Sequence, residues 1–143
     1  AGLVGIAFTL PMLGTPVDLS KVDRDMYIIA GIADHLCAWQ SCFRTTQLLG
    51  GESRFVLSTS GHIASMVNPP GNPKASFRVA PPASRTPTPI NADAWLAVAE
   101  TVTGSWWPDH VEWLAARSGD EVDAPAELGG RGLHAIVPAP GDY

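Results

Sequence analysis

The chain has 143 residues, 45% of them apolar and 16% charged, with a net charge of -5. That balance excludes a disordered chain and fits one domain or part of a larger one. The nine Lys and Arg form no run, which argues against a nucleic-acid partner.

The opening stretch, Ala1 to Leu13, is apolar but interrupted by Thr9 and Pro11. It is too short to span a bilayer and no basic residue precedes it, so it reads neither as a transmembrane helix nor as a signal peptide. A start at Ala rather than Met is expected of a fragment or a processed product. Residues 14–19 read as a turn into the next element. Met26 to Gly31 is a short apolar run with β-branched and aromatic members, closed by glycine. It predicts a strand buried on both faces, as in a parallel sheet. Asp34 follows just past its end.

Trp39 to Leu49 predicts a helix with Phe43, Gln47 and Leu48 near the face of Trp39, stopped by Gly50-Gly51. Arg54 to Leu57 predicts a second short strand, followed by the polar turn Ser58-Thr-Ser-Gly61 and then His62. Two parallel strands joined by a helix form a right-handed crossover, and ligands sit beyond the carboxyl ends of such strands. Asn68 to Pro89 is rich in Pro, Asn, Ser and Thr and predicts an irregular surface segment. Asp93 is expected to cap a helix through Trp95, Leu96 and Ala99. Pro108 suits the first position of another, carrying Val111, Leu114 and Ala115 on one side and ending near Gly119. Residues 120–143 read as loop.

Cys37 and Cys42 are five residues apart on one predicted helix, so no disulfide is expected, and both read as inert buried thiols of a reducing compartment. The four histidines are scattered, with no metal-binding spacing. The sharpest feature is an acid and a histidine, each following its own predicted strand. An imidazole titrating at about pH 6.5 can take and return a nucleophile's proton, and a carboxylate on its far nitrogen fixes the tautomer. By themselves Asp34 and His62 are equally compatible with a turn residue and a solvated loop residue.

Ala30-Gly-Ile-Ala-Asp-His35 with Trp39, Thr46-Gln-Leu-Leu-Gly-Gly51, Arg54-Phe-Val-Leu57, Ser60-Gly-His-Ile63 and Asn68-Pro-Pro70 resemble consecutive blocks of polyhydroxyalkanoate synthases. So do Gly104-Ser-Trp-Trp-Pro-Asp109, Glu112-Trp-Leu114, Ala124-Pro125 and Pro138-Ala-Pro-Gly141. The resemblance runs from about Gly14 to the end of the chain and is nearest to class II-like or actinobacterial members. Residues 1–13 resemble the family poorly and read as a frame error or cloning junction.

The resemblance implies an α/β fold, namely the carboxyl-terminal portion of an α/β-hydrolase-like domain. Residues 14–67 would hold core strands with the acid and histidine, and 68–143 an irregular segment, helices and a tail. It implies an acyltransferase that polymerises (R)-3-hydroxyacyl-CoA into polyester with release of coenzyme A, needing no cofactor and no metal. Asp34 and His62 match the family's catalytic acid and histidine. His35, Ser60 and Ala64 are expected to contact substrate, Ser60 and Ala64 because they flank His62 by two residues and would face the same cavity. Neither cysteine lies in the family's Gly-x-Cys-x-Gly turn, so the nucleophile is expected outside this chain and the chain alone is expected to be inactive. Leu36, Cys37 and Ala38 stand where the family commonly has Ile, a small residue and Pro. Partners implied are the growing polyester, an intracellular granule surface in the cytoplasm and, at full length, a second copy of the enzyme. Trp106, Trp107 and Trp113 are expected to pack the last helix rather than to bind the granule. The competing readings are an esterase or lipase fragment with a serine nucleophile, and a non-catalytic granule-binding or dimerising remnant.

Overall fold

The computed structural model describes residues 9–81, 90–127 and 129–142. Strands β1 (Thr9–Met12) and β2 (Thr15–Asp18) form an antiparallel hairpin, turned at Leu13 and Gly14, both with positive φ. The expected turn over 14–19 is therefore mostly strand. A 3-10 turn, Leu19–Lys21, follows, capped by Asp18, whose Oδ1 accepts from the Ser20 amide at 3.0 Å.

Strand β3 (Met26–Gly31), helix α1 (Trp39–Leu48) and strand β4 (Ser53–Ser58) form the predicted crossover. The strands are parallel, in register from Met26 opposite Ser53 to Gly31 opposite Ser58. Glycines at 50 and 51 do more than stop the helix. Their amides donate to the Val22 carbonyl, and a Cβ on Gly51 would sit 2.2 Å from the Arg24 carbonyl oxygen. Only glycine permits that backbone approach.

Beyond β4 come helix α2 (His62–Val67), strand β5 (Ser76–Val79), helix α3 (Ala92–Val98), strand β6 (Glu100–Thr103) and helix α4 (Trp107–Ala115). The main sheet runs β3-β4-β5-β6, with its last two pairings antiparallel. The segment expected to be irregular from 68 to 89 thus contains a strand, and 82–89 lie outside the described residues. β5 escapes a sequence reading because Ser76-Phe-Arg-Val79 has one strongly apolar pair and gains its ladder only from β4 and β6. A two-residue pair, β7 (Gly129–Gly130) and β8 (Leu133–His134), interrupts the otherwise loop-like tail.

The sheet is covered on both faces. Period-two alternation sends Phe55 and Leu57 of β4 to one side, where they pack with Ala30 of β3, Trp39 and Phe43 of α1 and Trp95 of α3. Phe55, Phe43 and Trp95 meet with ring centroids 4.9–5.6 Å apart. Val56 points the other way, with Phe77 and Trp106. β3 is buried only at Ala30 and Gly31, and its first four residues are half-buried. It was expected to be buried throughout. Among the described strands it is the sheet's edge, which leaves one side open.

Two helix readings need correction. Asn91, not Asp93, caps α3, its Oδ1 accepting from the Ala94 amide at 2.7 Å, because the extended Asn91 backbone lets the side chain fold back on the first turn. Helix α4 starts one residue before the expected proline, at Trp107, with Pro108 still in its first turn, and Val111 and Leu114 face solvent. It docks instead through Asp109, His110 and Trp113. Tyr27 donates to Asp109 Oδ2 at 2.6 Å, Arg54 clamps both Asp109 oxygens, and the Tyr27 ring lies 4.6 Å from His110 and 5.5 Å from Trp113. Burial pushes the Asp109 carboxyl up, but the donors from Arg54 and Tyr27 outweigh it and hold the group below its ordinary range. A charged, hydrogen-bonded anchor on the sheet takes the place of the aliphatic stripe. Among the described residues no helix is long and apolar enough to cross a membrane.

Candidate functional site

Gly31 ends β3 and Ser58 ends β4 side by side, and the loops beyond them stay joined. The Ile32 amide donates to Ser58 O at 2.9 Å and the Ala33 amide to Ser60 O at 3.1 Å. Asp34 then closes a turn onto Gly31 O. On the other loop, Ser60 adopts φ +86°, a left-handed conformation uncommon for a residue with a Cβ. That bend throws the chain into α2 with Gly61 at its N-cap and His62 as its first residue.

The result is direct contact: His62 Nδ1 lies 2.8 Å from Asp34 Oδ2. The other carboxylate oxygen, Oδ1, accepts from the amides of Leu36 at 2.9 Å and Cys37 at 3.0 Å. The Cys37 amide chiefly, helped by His62 and Leu36 against the effect of burial, lowers the Asp34 carboxyl to about 2. Asp34 is thus a fixed anion at neutral pH. Its side chain is 6% exposed, whereas that of His62 is 44% exposed. A carboxylate on Nδ1 keeps the proton there and leaves the Nε2 lone pair free to accept another.

An open cavity of about 360 Å³ borders the pair, lined by Ile29, Ala30, Asp34, Cys37, Cys42, His62, Ile63, Met66 and Val67. Apart from the dyad the lining is apolar or thiol-bearing, suited to an acyl chain. Ser60 and Ala64 do not line it. The expectation that they share it with His62 assumes an extended chain. In α2, residues two apart point to opposite sides, so Ile63, Met66 and Val67 line it instead. His35 is exposed and also lies off the cavity wall.

Both cysteines are free, and Cys37 is exposed rather than buried. Burial pushes up the half-buried Cys42 thiol. Ligand atoms of Asp34, Cys37 and His62 lie within 4.8 Å of one another, an arrangement invisible in the spacing of the histidines.

What holds α2 in place is also not evident from the sequence. A six-residue helix is too short to be stable alone, and its last carbonyls lack helical partners. The indole of Trp106 donates to Ser65 O at 2.8 Å and that of Trp107 to Val67 O at 3.1 Å, while the Ser105 hydroxyl donates to Asn68 O. The Gly-Ser-Trp-Trp block therefore packs structurally, as expected, and in particular supplies hydrogen-bond donors to the carboxyl end of the helix that carries His62. A signal was available: a polar residue and two indole donors in succession, next to a helix-starting proline.

Fold and site together define an α/β chain that sets an acid-tethered imidazole at the carboxyl edge of a parallel strand pair. No protein-family model matches the chain. It is 46% identical over 134 residues to poly(3-hydroxyalkanoate) polymerase 2 of Ectopseudomonas oleovorans, covering 94% of this chain and 23% of that protein. Polymerase 1 of the same organism is likewise 46% identical, and a poly(3-hydroxyalkanoate) polymerase subunit of Cupriavidus necator is 41% identical. The chain is a homologue of one segment of the poly(3-hydroxyalkanoate) polymerases. It spans less than a quarter of the length of the curated relatives it matches.

Proposed function

We propose that this chain supplies the acid and base of an acyltransferase that polymerises (R)-3-hydroxyacyl-CoA into polyester. The contact between His62 Nδ1 and Asp34 Oδ2 carries the reading, and the relatives' names, poly(3-hydroxyalkanoate) polymerases, support the polyester product. His62 Nε2 takes the proton of a cysteine nucleophile outside this chain. The thiolate attacks the thioester carbonyl, and coenzyme A leaves with the proton. The same nitrogen then takes the proton of the next 3-hydroxyl group, whose oxygen attacks the enzyme-bound acyl group; the C–S bond breaks, and the leaving cysteine takes the proton back from His62. Asp34 holds the tautomer and stabilises the imidazolium in both steps. The apolar wall formed by Ile63, Met66 and Val67 receives the acyl side chain. In this reading the domain is α/β-hydrolase-like, and the full-length enzyme is a cytoplasmic dimer on the surface of a polyester granule.

The test is coenzyme A release from 3-hydroxybutyryl-CoA or 3-hydroxyoctanoyl-CoA. In the full-length protein His62→Ala is expected to reduce the rate by about 10⁴ or more. An unchanged rate refutes the proposal. The isolated chain is expected to release none, and release that disappears in Cys37→Ala would instead place the nucleophile at Cys37.

A further inference from the structure

We infer that Asp34, Cys37 and His62 form a binding site for a thiophilic divalent cation such as Zn²⁺, and that its occupancy withdraws His62 from proton transfer. The second half rests on the function proposed above; the first does not.

The donor set is a carboxylate, a thiol and an imidazole, with donor atoms all within 4.8 Å of one another. Tetrahedral zinc with bonds of about 2.0–2.3 Å needs its ligands about 3.3–3.8 Å apart. The donor atoms farthest apart therefore have to close by about an ångström, while His62 Nδ1 and Asp34 Oδ2, hydrogen-bonded at 2.8 Å, have to open by about half an ångström. Two of the three side chains are free to make that move, because Cys37 and His62 are both exposed. The third is already set. Asp34 is held by two backbone amides, and its partner among the described ion pairs is His62 itself, with no Lys or Arg.

The backbone explains why the thiol is there. The hydrogen bond from the Cys37 amide to Asp34 Oδ1 draws residue 37 in beside the acid, next to Leu36, whose amide donates to the same oxygen. Cys42 borders the same cavity but is not part of the cluster.

On binding, the Cys37 thiol gives its proton to solvent as the S–Zn bond forms. The imidazole proton moves from Nδ1 to Nε2, so that Nδ1, the nitrogen facing Asp34, gives its lone pair to the metal, and no electron transfer is involved. Three protein ligands leave a fourth position to water. A metal-bound imidazole has no lone pair left with which to accept a nucleophile's proton.

Titration of the full-length protein with Zn²⁺ against a chromophoric chelator tests the site, with Cd²⁺ reporting the thiolate through its sulfur-to-metal charge-transfer band. Cys37→Ala is expected to weaken Zn²⁺ by at least about 100-fold and to abolish the cadmium band assigned to this site. Cys42→Ala is expected to retain both. Equal Zn²⁺ affinity in the parent and Cys37→Ala overturns the site. Coenzyme A release is then measured with and without Zn²⁺, each variant against its own metal-free rate. Inhibition in the parent that is relieved in Cys37→Ala supports the second half. Cys37-dependent binding without inhibition keeps the metal site but overturns the role of His62 in proton transfer.

Discussion

Trp106→Phe tests whether the Gly-Ser-Trp-Trp block holds α2, the helix that carries His62. Trp106 is 3% exposed, and its indole donates to the Ser65 carbonyl at 2.8 Å. Phenylalanine deletes that donor. Ser65 O would keep only the weaker donation from the Ser58 hydroxyl at 3.3 Å. An under-satisfied buried carbonyl costs about 1–3 kcal/mol. The smaller ring also loses part of its stack on Trp107, at 4.2 Å between centroids, worth about 0.5–1.5 kcal/mol. Together the change costs about 2–4 kcal/mol, applied at the open end of a six-residue helix. Hydrogen exchange reads this locally. The Ser65 and Asn68 amides, which donate to Gly61 O and Ala64 O, are expected to exchange at least about 30-fold faster. Trp107→Phe is the control. Its donor is longer and accessible to water, so less than about a fivefold change is expected. If exchange at Ser65 and Asn68 is unchanged in Trp106→Phe, the indole does not hold α2.

Two further outcomes follow from the same geometry. The Asp34 carboxyl is depressed from 3.8 to about 2, so its contribution to stability is complete above its ordinary value and is lost as pH falls through about 2. Urea midpoints of the parent and Asp34→Asn should therefore differ near neutrality and converge in strong acid; a constant difference across that range would contradict the sign. Gly31→Ala would place a Cβ 2.6 Å from Ser65 Oγ and 3.0 Å from Ser60 O, pushing α2 away from β3. If the proposed function holds, the rate of coenzyme A release by the full-length enzyme should fall by more than about tenfold, with a loss of stability of about 1–3 kcal/mol. A parent-like rate would show that the spacing between Gly31 and α2 does not govern the site.

Local pattern was enough to locate β3, α1 and β4, because a short apolar run closed by glycine and a helix stopped by Gly50-Gly51 are decided within a few residues of chain. The same pattern put Asp34 and His62 just past two strand ends. It could not show that they touch. That contact depends on register, on the amides of Ile32 and Ala33 bonding across to the next loop, and on the left-handed turn at Ser60. Helix α2, strands β5 and β6 and the docking face of α4 were likewise invisible, since each takes its stability from partners distant in sequence: indoles forty residues on, a ladder between strands, an arginine on β4. The exposure of Cys37 beside the acid belongs with these. Residue order alone determined which groups follow the strands. Only the tertiary structure decided which of them meet, because side-chain contact across 28 residues is set by strand pairing and loop geometry and not by the identity of the residues between.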